Sequence, residues 1–96
     1  MRFVWDDRKR AGNLRKHGID FAGVELLFEG FAVTVPDDRL YYGESRFITL
    51  GILEQLVVVV AHTETVDEIR IISIRKATRH EEKEYFRQAG FQDFTH

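Results

Sequence analysis

The stretch IRIISIRKATRHEEKEYF, Ile69 to Phe86, starts as a β-branched run and ends as a charged, helix-forming one. Its junction carries Arg70, Arg75, Lys76, Arg79 and His80, and Arg46 in GESRF adds a cation from another strand-like run. Arginines held at strand ends suit an anionic transition state, because the planar guanidinium meets phosphate through two parallel hydrogen bonds. Glu44, two residues before Arg46 and on the same side of an extended chain, offers that arginine a structural ion pair as the alternative. A second basic segment, RKRAGNLRKH, spans Arg8 to His17. Lys9, Asn13, Lys16 and His17 recur in it at spacings of three and four, which places them on one helix face. The plainer reading of that face is a solvated one. A helix C-terminus favours a positive group, so position alone gives His17 no catalytic role. Asn13 stands out, since asparagine is a poor mid-helix residue. Trp5 reads as a core plug in preference to a base-stacking platform.

Other chemistries lack their residues. There is no cysteine, which removes disulfides, thiolate metal sites and thiol nucleophiles. His17, His62, His80 and His96 are scattered without metal-ligand spacing, and no cofactor or metal is expected. Dinucleotide, P-loop and serine-hydrolase motifs are missing as well. A net charge of −2 and an isoelectric point near 6.1 lack the usual basic footprint of a nucleic-acid binder. The two basic segments make a basic face only if the fold joins them. The opening MRFVWDDRKR has no apolar signal-peptide run, and LVVVVA is far short of a membrane span. The expectation is a soluble cytoplasmic protein without membrane association.

These side chains need elements to hold them. At 96 residues, 44% of them apolar, the chain suffices for one modest core. Arg2–Trp5 predicts a short strand, and Asp6 an N-cap for a helix through about Lys16, closed by His17 and Gly18. Asp20 is expected to cap a second helix, FAGVELLFE, ended by Gly30. Pro36 falls in a VPDD turn. FAVTVP, SRFITLGI, QLVVVVAH and EIRIISIR read as strands joined by short polar stretches, hence an antiparallel meander. LVVVV, without polar alternation, marks a strand covered on both faces. In the last strand Ile69, Ile71, Ser73 and Arg75 should share one face, with Arg75 as its polar end. Thr78 and Glu81 form a capping box for a final helix that packs through Tyr85, Phe86 and Ala89. The order is β-α-α-β-β-β-β-α, a single α+β domain with an antiparallel sheet.

Three pieces of the chain, in order, resemble the BrnT family, the toxin half of the BrnT–BrnA type II toxin–antitoxin systems. They are FVWDDRKRAGNLRKHGIDF, then GESR leading into the apolar strands, then IRIISIRKATRHEEKEY. The resemblance runs from Phe3 to about Tyr85, giving a toxin domain over 1–90 and a tail over 91–96. It implies a ribonuclease with a fold similar to the RelE toxins. It also implies neutralisation by a BrnA-type ribbon-helix-helix antitoxin, in a heterotetramer of two toxins and two antitoxins that meets operator DNA through the antitoxin alone. Lys9, Asn13, Lys16, His17, Glu44, Arg46, Ser73, Arg75, Glu81 and Tyr85 occupy the family's patterned positions. Gly23 departs from the family, which favours a helix former there, and the tail FQDFTH lies outside its pattern. RNA brings its own nucleophile, the 2′-hydroxyl, so a metal-free enzyme needs only proton transfer and charge stabilisation. The resemblance places these residues without assigning roles. The roles expected from their chemistry are Arg46 and Arg75 on the phosphorane and His17 or Tyr85 moving protons, with Lys9, Asn13, Lys16, Lys76 and Arg79 as RNA contacts. The products would be a 2′,3′-cyclic phosphate and a 5′-hydroxyl. The alternatives are an inactive RelE-like binding module acting as a co-repressor with a DNA-binding partner, and a small protein-interaction domain whose cations are structural.

Overall fold

A computed structural model describes residues 1–38 and 43–90, and the expected tail 91–96 lies outside the described residues. Along the chain run β1 (Arg2–Trp5), α1 (Asp7–His17), α2 (Val24–Glu29), β2 (Val33–Pro36), β3 (Phe47–Leu53), β4 (Leu56–Glu64), β5 (Glu68–Lys76) and α3 (Arg79–Gln88). This is the α+β order that the sequence predicts. Strands β2 to β5 pair antiparallel in succession. Strand β1 differs. It runs parallel to β5, from Arg2 opposite Glu68 to Trp5 opposite Ile71, so the sheet β1-β5-β4-β3-β2 is mixed and not wholly antiparallel. Helices α1 and α2 carry the chain from one sheet edge to the other, which leaves β1 beside the last strand.

Central β4 is covered on both faces, and Val57 to Val60 are all buried. Val58 and Val60 join Phe21, Val24, Leu27, Ile71 and Ile74 on the α2 side. Val57 and Val59 join Ala77 and Tyr85 on the α3 side. Strand β3 gives way to α2 at Gly51, where a Cβ would fall 2.6 Å from Leu27 Cγ, so glycine lets the helix approach this closely.

A β-bulge overturns the expected face of Arg75. Ala61 pairs with Ser73 but His62 pairs with Ile71, which leaves Ile72 unopposed. Ile74 therefore joins Ile69 and Ile71 in the α2-side core. Arg75 lies opposite Val59, on the α3 side.

The helix ends follow local chemistry. Asp6 caps α1 by accepting from the Arg8 and Lys9 amides, and Gly18 closes it at φ 71°. Asp20 accepts from the Ala22 amide as a cap would, while Arg10 holds it at 2.6 and 3.0 Å, but α2 starts later than expected because Gly23 interrupts the helical path. Gly23 precedes α2 at φ 87°, a left-handed conformation that suits glycine and explains why a helix former is not needed there. Pro36 ends edge strand β2 opposite Phe47 and not in a turn, at a place where its missing N–H costs least. No helix among the described residues is long and apolar enough to cross a membrane.

Candidate active site

Strand β1 ends opposite Ile71, and past that point the described residues place no strand on the edge of β5 that faces away from β4. Asn13 stands in for one. Its Oδ1 accepts from the Ile74 amide at 3.0 Å, and its Nδ2 donates to the carbonyls of Ile74 at 2.8 Å and Ile19 at 2.9 Å. The side chain is buried, and its hydrogen bonds satisfy backbone groups that would otherwise lack partners. Asn13 is thus withdrawn from the face expected to hold Lys9, Lys16 and His17, and its RNA-contact role gives way to a structural one.

The first turn of α1, the approach to β3, and β5 meet beside the bulge. Asp6, Lys9, Glu44, Arg46, Arg70, Ile71 and Ile72 line one depression of about 170 Å³. Glu44 Oε2 lies 3.2 Å from Arg70 Nη2, and Oε1 lies 3.7 Å from Arg46 Nε. The structural partner foreseen for Arg46 thus serves two arginines. Both arginines point to the α3 side of the sheet: Arg46 precedes Phe47, whose ring stacks on the α2-side His62, and Arg70 lies between the α2-side Ile69 and Ile71.

Arg75 shares this side but sits at another level. Leu50, Val59 and Arg75 form one cross-strand row, and Arg46 precedes Leu50 by four residues, about 13 Å of extended chain. Its guanidinium turns to Glu81, with Nη1 and Nη2 at 2.8 and 2.9 Å from the two carboxylate oxygens. Glu81 also accepts from the Thr78 amide at 2.8 Å, within the predicted capping box. Arg75 above all, then the Thr78 amide, holds the Glu81 carboxyl at about 2. Arg46 and Arg75 therefore do not converge on one phosphorus atom, contrary to expectation.

The remaining expected residues scatter. From Lys9 to His17 α1 rises about 12 Å. Gly18, next to His17, lines a separate small depression with Leu53, Leu56 and Val58 at the β3–β4 hairpin. Lys16 shares that last turn of α1. Lys76 lies opposite Val58, on the sheet side facing away from Arg75, and Arg79 is exposed at the start of α3. Tyr85 is buried, its hydroxyl donates to the Phe31 carbonyl at 2.8 Å, and burial raises its pKa above the ordinary value. Neither His17 nor Tyr85 is placed to move protons at the Arg46–Arg70 depression.

A protein-family profile described as a ribonuclease toxin, BrnT, of type II toxin–antitoxin system matches residues 5–81, a span that holds Lys9, Glu44, Arg46, Arg70, Arg75 and Glu81. The chain belongs to the BrnT toxin family. Comparison with curated proteins gives no match. Membership makes this BrnT chain a ribonuclease toxin of a type II system, with an antitoxin as its partner.

In this BrnT toxin the sequence reading counts Arg70 among the strand cations without giving it a role, and it misses the bulge beside it. Arg70 carried a signal, a charge interrupting an apolar run. The bulge carried none. One further buried polar group lies on the α2 side of the sheet. His62 Nε2 is 2.6 Å from Thr49 Oγ1, which is 2.7 Å from Thr34 Oγ1, and Nδ1 is 3.6 Å from Glu64 Oε1. Phe28 and Phe47 pack on the ring, and burial lowers the His62 pKa to about 4.

Proposed function

We propose that this BrnT toxin is a metal-independent endoribonuclease that binds RNA at the α3-side depression formed by Lys9, Arg46 and Arg70. The observation that carries the reading is three cations, from α1, the approach to β3, and β5, lining one depression with only two carboxylates, Asp6 and Glu44. Guanidinium groups fixed by a sheet stabilise a phosphorane without reorganising when its charge develops. Among the described residues no three His, Asp or Glu side chains are grouped to hold a metal ion, so the charge on offer is that of lysine and arginine. The RNA 2′-hydroxyl attacks, and the products are a 2′,3′-cyclic phosphate and a 5′-hydroxyl. Arg75 meets a phosphate further along the strand, with Arg79 near it at the start of α3, and Lys16 and Lys76 contribute long-range attraction only. A BrnA-type ribbon-helix-helix antitoxin neutralises the toxin in a complex of two toxins and two antitoxins, and operator DNA is met through the antitoxin. In the cytoplasm the free toxin cuts RNA, translation falls and growth stops.

The test is cleavage of RNA in excess EDTA by the wild-type protein and by Arg46→Ala. The expected result is full wild-type activity with cyclic-phosphate ends, and a roughly hundred- to thousandfold loss in the variant. Activity abolished by EDTA and restored by one divalent ion sinks the metal-free mechanism. Soluble, folded protein that cuts no RNA and leaves growth normal moves the chain to the co-repressor reading.

A further inference from the structure

We propose that Glu44 is the general base of this site and that the larger depression beside it receives the ribose whose 2′-hydroxyl attacks, an assignment that rests on the ribonuclease reading above. Three carboxylates lie beside the arginines of this sheet face, Asp6, Glu44 and Glu81, and their surroundings separate them. Asp6 is committed to capping α1, accepting from the Arg8 and Lys9 amides. Glu81 is saturated: it takes bonds of 2.8 and 2.9 Å from Arg75 and 2.8 Å from the Thr78 amide. Glu44 is held loosely, with Arg70 at 3.2 and 3.5 Å and Arg46 beyond hydrogen-bond distance at 3.7 Å. Its side chain stays 40% exposed, so an incoming hydroxyl can reach it.

Glu44 and Arg70 also form the wall between two spaces. On one side is the cationic depression with Lys9 and Arg46. On the other is a depression of about 340 Å³ lined by Ser45, Thr63, Glu64 and Glu68 as well. That second space has the volume of a small-ligand site, and its carboxylates repel phosphate while accepting from sugar hydroxyls and base N–H groups. A nucleotide laid across the wall puts its phosphate among the three cations and its 2′-hydroxyl against Glu44. The carboxylate takes the 2′-proton as the 2′-oxygen bonds to phosphorus. The bond from phosphorus to the 5′-oxygen breaks, that oxygen takes a proton from solvent water, and Glu44 returns its own proton to solvent.

This predicts an unusual pairing of effects. Glu44→Gln removes the proton acceptor and also a negative charge beside the bound phosphate, so cleavage and binding should move in opposite directions. Two measurements test it: single-turnover cleavage of a short RNA, and affinity for the same oligomer with 2′-fluoro sugars, which cannot be cut. Glu44→Gln should slow cleavage by roughly a hundred- to ten-thousandfold and bind the 2′-fluoro oligomer as tightly as wild type or tighter. Arg46→Ala should weaken both. Glu44→Ala should regain part of its rate in formate, which supplies a diffusible carboxylate. Glu44→Gln cleaving within tenfold of wild type, or losing as much 2′-fluoro affinity as Arg46→Ala, overturns the assignment. Wild-type protein that cuts no RNA overturns the ribonuclease reading instead, and this assignment with it.

Discussion

Asn13 ties α1 to β5 through three hydrogen bonds, two of them to the backbone of Ile74. Truncating it strands a buried N–H and a buried carbonyl, each at about 1–3 kcal/mol. Asn13→Ala should therefore lower the melting temperature by roughly 10 °C or more. A variant that melts within a few degrees of wild type refutes the strand-substitute role. Arg75 is a harder residue to test than its sequence suggests. Its ion pair with Glu81 is two-pronged and only partly exposed, so Arg75→Ala should lose about 1–2 kcal/mol of stability as well as toxicity. Arg75→Lys, read by RNA affinity against melting temperature, separates the two, since lysine keeps the charge without the planar fork. If Arg75→Lys restores stability but RNA affinity never depended on Arg75, that arginine is structural. The oddity of Asn13 was legible in the sequence because asparagine opposes helix formation. Its role was not, since Ile74 is 61 residues away.

Elements were more legible than their contacts. Caps at Asp6, Gly18 and Thr78 are short-range devices, and each forms as read. Helix α2 starts later than the sequence predicts because Gly23 takes a left-handed conformation between Asp20 and Val24, a choice that glycine permits but does not announce. The face of Arg75 was misread because alternation assumes an unbroken ladder, and Ile72 breaks it. The contact of α2 with β3 gives a sharp check at this scale. Gly51→Ala drives a methyl into the buried Leu27 side chain, and overpacking of this kind typically costs about 1–3 kcal/mol. Gly51→Ala combined with Leu27→Ala should recover part of that loss in urea unfolding, whereas purely additive effects would show that the two residues are not in contact.

For the molecule as a whole, acid stability divides into two windows. His62 is neutral when folded, with its pKa lowered by burial to about 4, so the unfolded chain binds the extra proton first. Its contribution is complete above about pH 6.5 and is lost as pH falls from there to about 4, on the order of 3 kcal/mol in all. Glu81 acts lower. Its pKa is depressed to about 2, so its contribution holds above the usual carboxylate range and is lost between there and about 2. Urea unfolding at pH 7.5, 5.5 and 4.5 should show the first loss, and a free energy flat across those points removes His62 as its source. The parallel pairing of β1 with β5 reaches beyond equilibrium. Arg2 meets Glu68 across 66 residues, so the sheet closes through a loop spanning most of the chain, and its entropy must be met before the edge strand rewards it. On a ribosome, β1 emerges first and waits for β5, the last strand to be made. A nascent chain therefore lacks its completed sheet, and Arg70 its place in it, until translation of the domain is nearly finished.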